Sequence, residues 1–180
     1  MYFRALLLLS LALPSPVSAT TVRRSSEREM ARIAATIVRG TVVAVTPWHH
    51  PSGLIATDVV IRVVETLKAE QSAPTVHFTQ LGGTLDGVTL HASGQSTYEP
   101  GEEVLVFLER ERDSLVEIGM GAGKYRVLDE HGQLFVERQL GRLAFATVEG
   151  QRATVAPPPV VNGPEPLADF EARITRFLAE

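Results

Sequence analysis

The sharpest pattern in the chain is an alternation. In Thr57–Lys68, Val59, Ile61, Val63 and Leu67 share one parity with the single charged interruption Glu65, while Asp58, Arg62, Thr66 and Lys68 share the other. Period two with one wet face predicts a half-buried antiparallel strand. Upstream, β-branched residues crowd Ile37–Thr46, a second strand in which Gly40 marks a bend or bulge. The breaker-rich stretch Pro47-Trp48-His49-His50-Pro51-Ser52-Gly53 joins the two runs and reads as a long hairpin tip. Thr75–Leu81 predicts a third strand stopped by Gly82-Gly83, and Leu85–Ala92 reads as a loop or weak strand. Glu99-Pro100-Gly101-Glu102 predicts a turn, because proline presets φ and glycine accepts a positive one. It launches Val104-Leu105-Val106-Phe107-Leu108, apolar on both parities and so expected to be covered on both faces. The charges Glu102-Glu103 and Glu109–Asp113 flank that run as guards against aggregation. Short strands follow near Leu115–Ile118, Lys124–Leu128, Leu134–Glu137 and Arg142–Val148.

Helical spacing marks the two ends. Ser26 and Glu29 form a capping box, with Met30, Ile33, Ala34 and Ile37 following at helical intervals, which predicts a helix over Glu27–Thr36. Ala156-Pro157-Pro158-Pro159 reads as an extended linker. Beyond it Leu167, Phe170, Ile174, Phe177 and Leu178 fall on one face of an amphipathic helix, read first as packing on the β-core and second as binding a partner. Strands at roughly ten-residue spacing between glycine and proline turns predict a small barrel or sandwich rather than a βαβ fold. The expected fold is therefore mainly β: a small OB-like antiparallel β-barrel over 20–155 with a short N-terminal helix, then the linker and C-terminal amphipathic helix over 156–180.

The first residues change the setting. Arg4, the apolar run Ala5–Leu13, then Pro14, Pro16 and Val17-Ser18-Ala19 have the order of a secretory signal peptide over 1–19. Its apolar core is too short for a membrane span of about 20 residues. A periplasmic or secreted protein is expected, with no membrane insertion after cleavage. The chain has no cysteine. Disulfides, thiolate metal sites, a cysteine nucleophile and a cysteine-linked lipid anchor are thereby excluded. The formal net charge of −4 comes with no basic stripe, so nucleic acid is not the expected partner; another exported protein is.

Candidate chemistry is sparse. Gly119-Met120-Gly121-Ala122-Gly123-Lys124 resembles a phosphate loop at a glance, but Ile118 stands where the first glycine belongs and Tyr125 where Ser or Thr belongs. The glycines read instead as a tight bend or close backbone approach. His49 and His50 lack any spacing that preorganises a metal site, and adjacent strand residues point opposite ways. No metal or cofactor is expected. Trp48, the sole tryptophan, stands beside the same tip, and two readings are open: a recognition anchor, or a cap on one barrel end. Ser93-Gly94 and Ser96 lack the strand–turn–helix elbow of a hydrolase nucleophile.

Read in order, Gly40-Thr41-Val42-Val43, Trp48, Thr57–Lys68, Gly82-Gly83, Tyr98–Leu108 and Gly123-Lys124-Tyr125-Arg126-Val127 resemble a group of uncharacterised exported bacterial proteins. More distantly, these residues are similar to the netrin-like OB barrel of tissue inhibitors of metalloproteinases. The resemblance spans about 36–128 and implies fold more than function. Those inhibitors present an N-terminal cysteine to a protease zinc, a device this cysteine-free chain lacks. The expectation is an exported, non-catalytic binding module using Trp48, His49 and His50, with the loops Pro47–Gly53 and Gly82–Tyr98 as its contact surface. An inhibitor or accessory factor of a secreted protease, and an unrecognised hydrolase, are the alternatives.

Overall fold

The computed structural model describes residues 21–23, 25–92, 94–138, 140, 144–149, 152–156 and 163–180. The signal-peptide reading, Ser93 and the Pro157–Pro159 linker reading lie outside the described residues.

The elements, in order, are β1 (Thr21–Arg23), α1 (Glu27–Ile33), β2 (Thr36–His49), β3 (Ile55–Lys68), β4 (Thr75–Leu81), β5 (Gly83–Leu85), β6 (Val88–Leu90), β7 (Glu103–Glu111), β8 (Ser114–Glu117), β9 (Lys124–Glu130), β10 (Gln133–Arg138), β11 (Ala144–Glu149), β12 (Arg152–Ala156), β13 (Glu165–Pro166) and α2 (Leu167–Leu178). The main sheet runs β13-β10-β9-β7-β2-β3-β4, antiparallel throughout, with β8 also paired to β7. The fold is mainly β, as the alternation predicts. β4 and β8 lie against each other but, among the described residues, exchange no ladder, so the curl β2–β3–β4–β8–β7 is open at that seam. Separate small sheets are β1-β11-β12 and the β5-β6 hairpin, the latter formed where a loop or weak strand is expected. Among the described residues no helix is long and apolar enough to cross a membrane.

β7 is the hinge of the packing. Val104, Val106 and Leu108 point into the curl, with Val38, Val42, Val59, Ile61, Phe78 and Tyr98. Leu105 and Phe107, on the other parity, lie under the helices with Met30, Tyr125, Phe170 and Ile174. A strand apolar on both parities thus separates two cores. α1 is capped by Ser26, whose Oγ accepts from the Glu29 N–H at 3.2 Å. It ends at Ile33, short of the expected Thr36, because the backbone turns extended at Ala34 (ψ 134°) to enter β2. Ile33 is consequently exposed, and Ala31 takes a buried place instead. α2 lays Leu167, Phe170 and Ile174 on the outer core, as its spacing predicts. Arg39 of β2 fastens it there: the guanidinium donates to Glu171 on α2 at 3.0 Å, Glu103 on β7 at 2.9 Å and Glu65 on β3 at 2.8 Å.

Gly40 lies at a register shift between β2 and β3, the bulge its position predicts. A Cβ there would lie 2.2 Å from the Arg62 carbonyl oxygen and 2.7 Å from Ile61 Cγ2. Gly40→Ala is therefore expected to destabilise the fold by about 1–3 kcal/mol, the usual cost of overpacking. Thermal melting checks this; an unchanged midpoint would show that β3 can move aside freely.

Candidate functional site

The β2–β3 hairpin builds one wall of a cleft. Its ladder continues through Pro47↔Thr57, Trp48↔Ala56 and His49↔Ile55, so the tip is only 50–54. The expected loop Pro47–Gly53 is thus corrected at its first half: Trp48 and His49 are strand residues. The His50 N–H donates to the Leu54 carbonyl, which makes 50/54 a hydrogen-bonded pair. By alternation Pro47↔Thr57 is a non-hydrogen-bonded pair, and the missing proline N–H costs the ladder nothing.

Alternation also separates the two histidines. His50 turns toward Trp48, ring centroids 5.4 Å apart, and its Nδ1 accepts from the Ser52 N–H at 3.1 Å. His49 points elsewhere, two-thirds exposed, with Nε2 3.5 Å from Asp86 Oδ2 in the β5–β6 turn. Among the described residues no group of three His, Asp or Glu side chains is placed to hold a metal ion.

The cleft itself encloses about 580 Å³. Trp48, His50 and Leu54 form the hairpin wall, Thr79, Gln80 and Leu81 of β4 contribute a second side, and the β7–β8 turn Glu111–Ser114 supplies the third. Two of its residues carry a buried polar atom with no hydrogen-bond partner: Trp48 Nε1, which can only donate, and Gln80 Oε1, which accepts. Buried polar atoms are ordinarily satisfied, and each exception calls for an explanation. Among the described residues, none of the loop Gly82–Tyr98 lines the cleft. The turn that does was expected only as a charged flank of β7; the curl that carries it to the hairpin is a tertiary event without a local signature.

Loop residues 94–102 serve a second, closed polar cluster. Glu117, on β8, is buried and accepts from Tyr98 Oη at 2.7 Å and Ser96 Oγ at 3.0 Å. Burial pushes its carboxyl up to about 7, against the opposing pull of the Tyr98 and Ser96 hydrogen bonds and the Lys124 charge. Burial and the neighbouring Glu117 charge push the Tyr98 hydroxyl well above its ordinary range, so it remains a donor. Lys124 Nζ donates to Glu102 Oε1 and Oε2 at 2.7 and 2.8 Å and to the Thr97 carbonyl at 2.6 Å. It also lies 4.4 Å above the Tyr98 ring.

The lysine of the apparent phosphate loop is therefore committed to its own protein. The glycines before it serve close approach: a Cβ on Gly121 would lie 2.4 Å from the Gly94 carbonyl oxygen, and one on Gly123 2.8 Å from that of Phe107. The segment leads into strand β9, not a helix. Nothing in the spacing of Glu117 distinguishes it from a surface acid, so this cluster was not legible beforehand.

No protein-family model, no curated protein and no solved structure matches the chain.

Proposed function

We propose that this protein is an exported, non-catalytic binding module whose ligand seat is the Trp48 cleft. The observation that carries the reading is the cleft itself, about 580 Å³, where the sole tryptophan, His50 and Leu54 of the hairpin face the end of β4 and the β7–β8 turn. That size falls in the ordinary range of ligand sites. Its position supports the same reading by fold analogy: OB-type barrels bind through the loops joining strands one to two and four to five and the face of strands two and three. Counted along the curl, those are the β2–β3 tip, the β7–β8 turn and the β3–β4 face. Export rests on the order of residues 1–19, and the likeness to netrin-like barrels agrees with a scaffold that presents its loops. Another exported protein is the partner class this setting favours.

Peptide and glycan arrays probed with the protein and two variants test the seat. Trp48→Ala is expected to weaken any array signal tenfold or more, as loss of a central aromatic anchor does. His49→Ala, which alters a residue pointing away from the cleft, is expected to leave it unchanged. Equal effects from both variants, or blank arrays, would remove the cleft as the seat.

A further inference from the structure

We infer that the cleft takes an extended, uncharged stretch of a partner polypeptide, added as an antiparallel strand to the free edge of β4 at Thr79 and Leu81. The inference rests on the cleft being the ligand seat. β4 ends the main sheet on one side and β13 on the other. β13 is two residues long, Glu165-Pro166, a charge and a proline. β4 is seven residues long, has no Lys, Arg, Asp, Glu or Pro, and pairs with β3 without a register shift. Edges in natural sheets carry charge, proline or bulges, because a bare edge is a template for another strand. The neighbour of β4 on its open side, β8, has four residues and, among the described residues, forms no ladder with it.

The ladder fixes which groups that edge presents. The Val63 N–H donates to the Pro74 carbonyl and the Gly82 N–H to that of Ile55, which makes 63/74 and 55/82 hydrogen-bonded positions. By alternation Val76, Phe78 and Gln80 also spend their N–H and C=O on β3, while those of Thr75, His77, Thr79 and Leu81 point away from it. Thr79 and Leu81 line the cleft, and Leu81 is 42% exposed. Each can exchange both bonds of a hydrogen-bonded pair with an antiparallel strand, the pairing used throughout this sheet. Added strands gain affinity from such main-chain bonds and specificity from alternate side chains. The ligand residues bonded here put their side chains on the face of Leu81. Trp48 shares that face through Trp48↔Ala56 and Ala56↔Leu81, and Leu54 lines the same cleft. The bonded residues are therefore expected to be apolar and the intervening ones polar. A second copy offering its own β4 would need the whole edge, part of which β8 flanks. A short segment needs only the end that opens on the cleft.

The probe is the peptide acetyl-Lys-Thr-Val-Thr-Val-Thr-Lys-amide, titrated into the protein by calorimetry beside two analogues. N-methylation of its valines removes the N–H groups aimed at β4. N-methylation of its threonines removes those aimed away. Valine methylation is expected to weaken binding tenfold or more, the effect of leaving a ladder carbonyl unpaired, and threonine methylation to leave it within about threefold.

On the protein side, Leu81→Pro and Leu81→Ala both remove the leucine side chain, and only the proline also removes the outward N–H. Neither removes a bond to β3, so the two should melt within a few degrees of each other. The peptide is expected to bind Leu81→Ala about tenfold more tightly than Leu81→Pro. If Leu81→Pro melts far lower, the methylated pair on the parent protein decides alone. Equal effects of the two methylations, or equal binding by two folded variants, would overturn strand addition and leave the cleft a ligand seat. Absence of peptide binding at millimolar concentration would also overturn it, with the seat itself then judged by the arrays and Trp48→Ala. A concentration-dependent dimer of the parent that Leu81→Pro dissociates would assign the edge to a second copy and overturn the inference as well.

Discussion

Replacing Lys124 with Met is expected to cost about 3–5 kcal/mol of folding stability, the range for breaking a buried ion pair by removing one partner. The side chain is 4% exposed and its partner Glu102 16%. Its ammonium protons all have acceptors, on Glu102 Oε1 and Oε2 and the Thr97 carbonyl. Met keeps the length and apolar stem of Lys124, so the cavity is small and the loss is electrostatic. It leaves the half-buried Glu102 carboxylate without its cation and the Thr97 carbonyl without its ammonium donor. The Nζ contact over the Tyr98 ring disappears as well.

The damage falls on residues 94–102, which cross from the β5–β6 hairpin to β7 and are held there by this pair. A double variant, Lys124→Met with Glu102→Leu, should recover more than half of the loss, since an apolar pair of similar volume is often as good as a buried ion pair. Urea unfolding of the parent, both single variants and the double variant measures the cycle. A Lys124→Met cost below about 1 kcal/mol would place the pair with ordinary surface ion pairs.

The parts of this structure that alternation controls were legible, and the parts that curling controls were not. Val104–Leu108 announced two-sided burial because no polar residue interrupts it, and the strand does separate the two cores. The apolar face of α2 was equally plain, since Leu167, Phe170 and Ile174 can share a side only in a helix. Trp48 was visible as a candidate, but its neighbour Pro47 pointed to a loop; proline is tolerated in the ladder there because of which pair it occupies, a fact set by β3 and not by Pro47 itself. The third side of the cleft, Glu111–Ser114, and the orphaned Gln80 come from segments distant in sequence. No window of either segment reveals the other. Glu117 is the extreme case. Its parity in a four-residue strand turns it inward, toward Tyr98 and Ser96, and only the full fold supplies those hydroxyls.

That inward turn makes stability depend on pH near neutrality. A carboxyl whose value rises from 4.5 in the unfolded chain to about 7 in the fold binds its proton more tightly when folded. Its contribution is therefore fully present below pH 4.5, falls as pH rises toward 7 and is gone above that, a total of about 3 kcal/mol at 1.36 kcal/mol per unit. Glu117→Gln keeps an acceptor for Tyr98 or Ser96 and has no charge to bury. The parent-minus-variant difference in unfolding free energy, which cancels the other carboxylates, should fall by about 3 kcal/mol between pH 4.5 and 7.5 and then level off. The variant should be the more stable of the two at pH 8. Lys124 holds the Glu117 value down, so in a Lys124→Met background the fall should move to higher pH. A difference that stays flat from pH 4.5 to 7.5 would mean that water reaches Glu117 in the folded protein and that its carboxylate is solvated there.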